Sequence, residues 1–585
     1  MNTSQFLRAP RRYPAVMAGC LLLGAWVHAF AQEPAPVVDS DTPEVVNNSD
    51  LNAENTLLIL LGELQATQGD PGAAYAMLME AARKTGEEAL YKRAIDIALN
   101  ARNGTAALDG AKAWKKAFPL SRDANRYLLQ ILVALNQLAE SLMPLRSYIQ
   151  LAPASEHVLL INGMPQLFNQ TKDPELAAAV VEQALVPFVD LPTTAAASWT
   201  TIGRMRVAAK KLPQALEAVN KALAADPKAM EPGFLLLELL SQGMNEAEPI
   251  LQGVLGPQSP PHMRLTYARV LMDAQRLPDA AAQLQLLNQS HPDFAEAWLV
   301  LGALHVEMGK DSLAQPALLR YIELEQNKED ANLSQAYLML SKIAANQKKP
   351  AEAEAWLNKI DDPQALTQVQ IQRAHLLASK GDMAKARALI ADLPHNTPQA
   401  KRTRLQAEVQ LLRDFKMYEQ AYQVLSKASK AEPDDLDLRY EVAMLAEKLN
   451  RMDEMEKLLR SIIAAKPDFQ HAYNALGYAL ADRNIRLAEA RALIVKALEI
   501  APEDPMITDS LGWVEFRLGN KQSALAILQR AYDTKNDPEI AAHLGEVQWS
   551  LGLKDKAMKV WRDALKTDPK NDLLQETLKR LKVKL

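Results

Sequence analysis

The residues of this 585-residue chain that could do acid–base, metal or nucleophilic chemistry are nine histidines, one cysteine and a scatter of paired acids. Their spacing assembles none of it. No histidine is followed four residues on by another, so the helical H-E-x-x-H metal site is absent, and neither a Walker A run nor a G-x-S-x-G elbow occurs. No two of the 22 glycines are separated by a single residue, which excludes every G-x-G phosphate loop. Gly309-Lys310-Asp311 lacks both the upstream glycine and the Ser/Thr of a phosphate loop. His291 and His305 read as surface or interhelix hydrogen-bonding groups, and Asp361-Asp362 and the pair Glu352 and Glu354 as caps at loops and helix starts. The stretch 103–192 shows no paired constellation for a cell-wall hydrolase. The chain reads as a non-enzyme with no cofactor and no metal site.

The N-terminus points to export. Arg8, Arg11 and Arg12 precede an apolar run from Ala15 to Val27, and Ala29-Phe30-Ala31 offers an A-x-A cleavage site, so residues 1–31 read as a signal peptide. The run is short of the roughly 20 residues that span a bilayer. Loss of 1–31 removes three arginines and no acids, deepening the formal charge of −5 by three. Met17-Ala18-Gly19-Cys20 resembles a bacterial lipobox, which would lipidate Cys20 and tether the chain to the outer membrane; Leu21-Leu22-Leu23 just after it favours soluble export instead. Residues 32–50 carry Glu33, Asp39, Asp41, Glu44 and Asp50, three prolines and no base, the composition of a solvated acidic linker.

The elements beyond it must supply the function. At 48% apolar, 5% aromatic and 23% charged, the chain has core material for several domains or one long array, and it is neither disordered in bulk nor basic enough for a nucleic-acid groove. Periodicity decides for the array. Leu476-Gly477, Leu511-Gly512 and Leu544-Gly545 recur about every 34 residues, followed by Ala490, Ala524 and Ala557, then by Ala497, Ala531 and Ala564, with Pro467, Pro502 and Pro569 closing the copies. Further copies start at Trp199 and Trp298. This pattern resembles the tetratricopeptide repeat (TPR). The resemblance implies an all-α solenoid of tandem helix pairs, a right-handed superhelix with two segments. Residues 51–227 form an N-terminal segment that is degenerate over 103–192, residues 228–263 an irregular junction, 264–571 a C-terminal array and 572–585 a capping helix. Small residues let the two helices of a unit approach, and the second glycine of pairs such as Gly512 and Gly519 ends the first helix at positive φ.

The same resemblance places a partner-binding groove along the first helices of successive units. Counted from the Leu-Gly landmarks, Tyr478, Trp513, Phe516 and Trp549 form an aromatic strip beside Glu546. Aromatic anchors dominate many interfaces; packing against neighbouring helices is the competing reading. Three segments, Arg264-Leu265-Thr266-Tyr267-Ala268-Arg269, Leu57 to Leu99, and Asp509-Ser510-Leu511-Gly512-Trp513, resemble a group of periplasmic TPR lipoproteins. That resemblance implies a periplasmic adaptor, soluble or tethered to the outer membrane, that brings cell-wall hydrolases to a carboxyl-terminal processing protease. The alternative is a scaffold for an envelope or exopolysaccharide export complex. Both make the partners proteins rather than nucleic acids, with membrane contact only through a lipid anchor.

Overall fold

The computed structural model describes residues 52–585, which form 31 α-helices, α1 to α31 in chain order, with no strand among the described residues. The export segment with Cys20 and the acidic linker lie outside the described residues. The helices fall into two units, one ending at Leu304 and the other running from His305 to Leu585.

Punctuation residues make the helix pairs. In α1 (Ala53–Gln68) the Asn52 side chain accepts the Asn55 N–H at the start and Gly69, at φ 88°, ends the helix. Asp70 then caps α2 (Pro71–Thr85), with Pro71 in the first turn, where a missing N–H costs nothing. The turn at Gly519, φ 91°, repeats this geometry between α27 (Pro505–Arg517) and α28 (Lys521–Thr534). Arg102, Lys210, Lys416 and Asn450 hold the same left-handed turn without a glycine, each at φ between 55° and 59°. An L-residue there costs about 1–2 kcal/mol.

Within 103–192 the prolines shorten helices without abolishing them. The helices Leu142–Gln150 and His157–Leu167 have 9 and 11 residues, and Pro165 sits inside the second. The stretch 228–263 holds the helices Glu231–Ser241 and Ala247–Val254, the first burying Leu235, Leu236, Leu237 and Leu239.

Pairs in the unit from His305 onward close on small residues. Ala490, Ala497, Ala524, Ala531, Ala557 and Ala564 on the second helices are at most 1% exposed. The facing glycines leave no room for more: a Cβ on Gly512 would stand 2.5 Å from Leu528 Cγ, and one on Gly545 would enter the Trp561 indole. The last helix, α31 (Asp572–Arg580), buries Leu574 and Leu578 in the cluster of Ala541, Ala542 and Trp561, while Lys579 faces solvent.

Gly545→Ala should therefore overpack the last pair, costing roughly 1–3 kcal/mol. Lys416→Gly should stabilise by about 0.5 kcal/mol, because relief of the left-handed backbone exceeds the added chain entropy. Thermal melts by circular dichroism, with hydrogen exchange to locate the change, check both; an unchanged Gly545→Ala variant would contradict the close-approach account.

Candidate functional site

The sequence-derived strip lies on three consecutive first helices, α25 (Gln470–Asp482), α27 and α29 (Pro538–Ser550), backed by the second helices α26 (Leu487–Ile500), α28 and α30 (Lys554–Thr567). Gly477, Gly512 and Gly545 set each first helix directly on its second helix, against Ile494, Leu528 and Trp561. Side chains from α25, α27 and α29 consequently meet one another.

Tyr478 and Trp513 are 4% and 3% exposed and belong to one apolar cluster, with half-buried Phe516 packed against it. The Trp513 and Phe516 ring centroids are 5.4 Å apart. Trp549 is set elsewhere: its ring lies 5.8 Å from that of Trp561, with Lys554 Nζ 5.2 Å over its face. Glu546 is buried and accepts two hydrogen bonds of 2.6 Å from the Arg580 guanidinium on α31. The structure thus gathers Tyr478, Trp513 and Phe516, places Glu546 in an ion pair with the last helix, and seats Trp549 on the last helix pair.

His543, which the spacing argument passes over, ties these residues together. Its ring stacks on Trp513 at 4.2 Å and 22°, its Nδ1 lies 2.9 and 3.0 Å from the two Asp509 oxygens, and its Nε2 lies 3.3 Å from the Tyr478 hydroxyl. All three side chains are buried. Burial pushes the imidazole down, but the Asp509 carboxylate and its hydrogen bond outweigh that and hold His543 above its ordinary value. Nδ1–H then donates to Asp509 and Nε2–H to Tyr478, whose own phenol burial drives well above its usual value. A line of polar groups therefore spans three units. One signal for it exists in the sequence: Asp509 and His543 stand 34 residues apart, one repeat length.

Around this line some hydrogen-bonding capacity is unspent. Asn474 Oδ1 on α25, Trp513 Nε1 on α27 and Gln548 Oε1 on α29 are buried and have no partner, and each of these side chains is at most 3% exposed. Buried polar atoms are normally paired, and these three, on neighbouring first helices, are closed off from solvent without a partner. By contrast Asp362, read as a cap, accepts the Gln364 N–H at 2.8 Å, and Glu354 accepts from Arg373 at 2.8 Å. Among the described residues no group of three His, Cys, Asp or Glu could hold a metal ion, and no helix is long and apolar enough to cross a membrane.

Comparison with known proteins finds tetratricopeptide repeats in this chain. Two tetratricopeptide repeat profiles match residues 412–481 and 510–572, which take in every residue of the strip. The TPR repeat-containing protein PA4667 of Pseudomonas aeruginosa is 35% identical over 196 residues, 34% of this chain; the match spans only about a third of that relative, 33% of its length. A thermophilic TPR protein of Thermus thermophilus is 24% identical with a TM-score of 0.28, covering 31% of this chain and 98% of that one. The Cut9–Hcn1 hetero-tetramer of the APC/C is 13% identical with a TM-score of 0.29, covering 90% and 96%. The chain carries tetratricopeptide repeats within an all-α helix-pair solenoid, a class that generally mediates protein–protein interaction.

The His543 proton is held more tightly in the folded chain than in the unfolded one. Its contribution is complete below about pH 6.5, the unfolded value, and is lost as pH rises through the raised folded value. The wild-type melting temperature should fall on going from about pH 6.5 to 9 by more than that of His543→Gln. Parallel melts over that range test this, and equal slopes would remove His543 as the cause.

Proposed function

We propose that the chain is an exported, non-catalytic scaffold that holds a protein partner on the first helices of its C-terminal repeats and brings cell-wall hydrolases to a carboxyl-terminal processing protease in the periplasm. The observation that carries the binding face is the aromatic pair on α27, half-buried Phe516 with its ring centroid 5.4 Å from that of Trp513. A partner segment offers apolar side chains for the part of that pair left uncovered. The export signal and the family resemblance support the periplasmic adaptor role. A scaffold that binds two proteins raises their effective concentration without chemistry of its own.

Phe516→Ala should weaken partner binding about tenfold, since about 1.4 kcal/mol corresponds to that factor. Affinity capture from envelope extract, with the captured proteins then titrated against the variant and its melting temperature measured alongside, reads this out. A serine protease with cell-wall hydrolases supports the adaptor role, polysaccharide-export proteins would replace it by the export scaffold, and unchanged affinity with a lowered melting temperature would move the binding face elsewhere.

A further inference from the structure

The first helix is apolar on two opposite sides, and among the described residues only one of them is covered. Toward α2 it presents Ile59, Gly62 and Ala66; Gly62 is buried, and a Cβ there would stand 2.9 Å from Leu78 Cγ. On the far side Ala53, Leu57, Leu60, Leu64 and Thr67 follow one another at steps of four, three, four and three, the spacing of a helix-pairing seam. All five are exposed, with Leu57 at 55%, Leu60 at 63% and Leu64 at 46%. A helix that is apolar all round belongs in an interior. In a solenoid an interior unit would find a preceding unit there, and a terminal unit needs a polar outer face instead. The opposite end of the chain obeys that rule, since α31 turns Gln575, Glu576 and Lys579 outward.

Charge and symmetry say what covers the seam. The two acids of the helix are neutralised from within the chain, Glu54 by Lys84 at 2.8 Å and Glu63 by Arg93 through bonds of 2.8 and 2.6 Å, so no uncompensated charge repels an identical face. The stripe also reads nearly the same in both directions about Leu60, so reversing the chain sets Leu60 against Leu60 and Leu57 against Leu64. That is the self-complementarity a two-fold axis requires. Residues 32–50, which precede the helix, offer no such match: they hold three prolines, five acids and no apolar stripe of helical period.

We propose that α1 is a homodimerisation element, pairing antiparallel with α1 of a second copy about a two-fold axis at Leu60. A 16-residue helix is about 24 Å long, so the interface is at the small end of specific ones and association is expected in the micromolar range. The inference is independent of the groove assignment, since it uses no residue of the C-terminal repeats.

Sedimentation of the purified chain tests it. The wild type should shift from monomer to dimer between about 1 and 50 μM, the window a small interface implies. Leu60→Glu, which sets two carboxylates face to face, should remain monomeric with unchanged helicity and melting temperature, because Leu60 contributes little to its own core. In a Cys20→Ser background, Leu60→Cys should form a disulfide-linked dimer, while Leu99→Cys, at an exposed site on another helix, should not. A wild type that stays monomeric through that range, or a dimer indifferent to Leu60→Glu, would overturn the proposal.

Discussion

Contact between the two helices of a unit at a residue without a side chain is the constraint on which the C-terminal unit depends. Gly477, Gly512 and Gly545 each face a bulky side chain of the second helix with no space for a Cβ. The alanines one turn before and one turn after each of those side chains fill the remaining gap and sacrifice no side-chain entropy in doing so. Close approach within each pair lets Trp561 lie fully buried across Gly545 and donate from its Nε1 to the Ala542 carbonyl at 3.4 Å. It also brings the first helices of adjacent units within side-chain reach. Without the first contact the second would lengthen, and the line from Asp509 through His543 to Tyr478 could not close.

That line departs from the usual economy of a repeat protein, in which each unit touches only its neighbours. Tyr478 and His543 are 65 residues apart and belong to units that are not consecutive. A buried Asp–His pair adds little net stability, because desolvation of two charges offsets most of their attraction, but losing either partner strands the other at a cost of about 3–5 kcal/mol. The pair therefore acts on register. Three first helices must be in step for Nδ1 to meet the carboxylate, the ring to stack on Trp513 and Nε2 to reach the phenol. The stacking surface and the unpartnered atoms of Asn474 and Gln548 inherit that alignment.

The Leu-Gly landmarks, the small second-helix positions and the closing prolines made the helix pairs and their order legible, because each has one dominant local cause. The site was legible in its aromatic residues but not in its wiring. Gly512 and Gly545 are 33 apart whereas Asp509 and His543 are 34 apart, so aligning the landmarks puts the two charged residues one step out of register and hides their relation. The left-handed turns at Arg102, Lys210 and Lys416 were hidden for another reason. Tertiary packing imposes them on residues with no preference for that conformation. The exposed face of α1 is a third kind of case: its leucines follow the spacing of a buried seam, and what sets them apart is that no other described residues cover them in three dimensions.

Arg580 joins the end of the array to the candidate face. It rises from α31, the helix that closes the C-terminal repeats by burying Leu574 and Leu578, and its guanidinium forks onto both oxygens of Glu546. Glu546 neighbours Gln548 on α29 and adds negative charge near His543, helping to keep that imidazole charged. If α31 frayed, Glu546 would become a buried carboxylate without its bidentate partner, and α29 would have to shift or hydrate to accommodate it. Burial of Leu574 and Leu578 is thus only half of what α31 does. Its other half is to fix α29, the helix that contributes both His543 and Gln548, so the shape of the candidate face is set partly by a helix that contributes no residue to it.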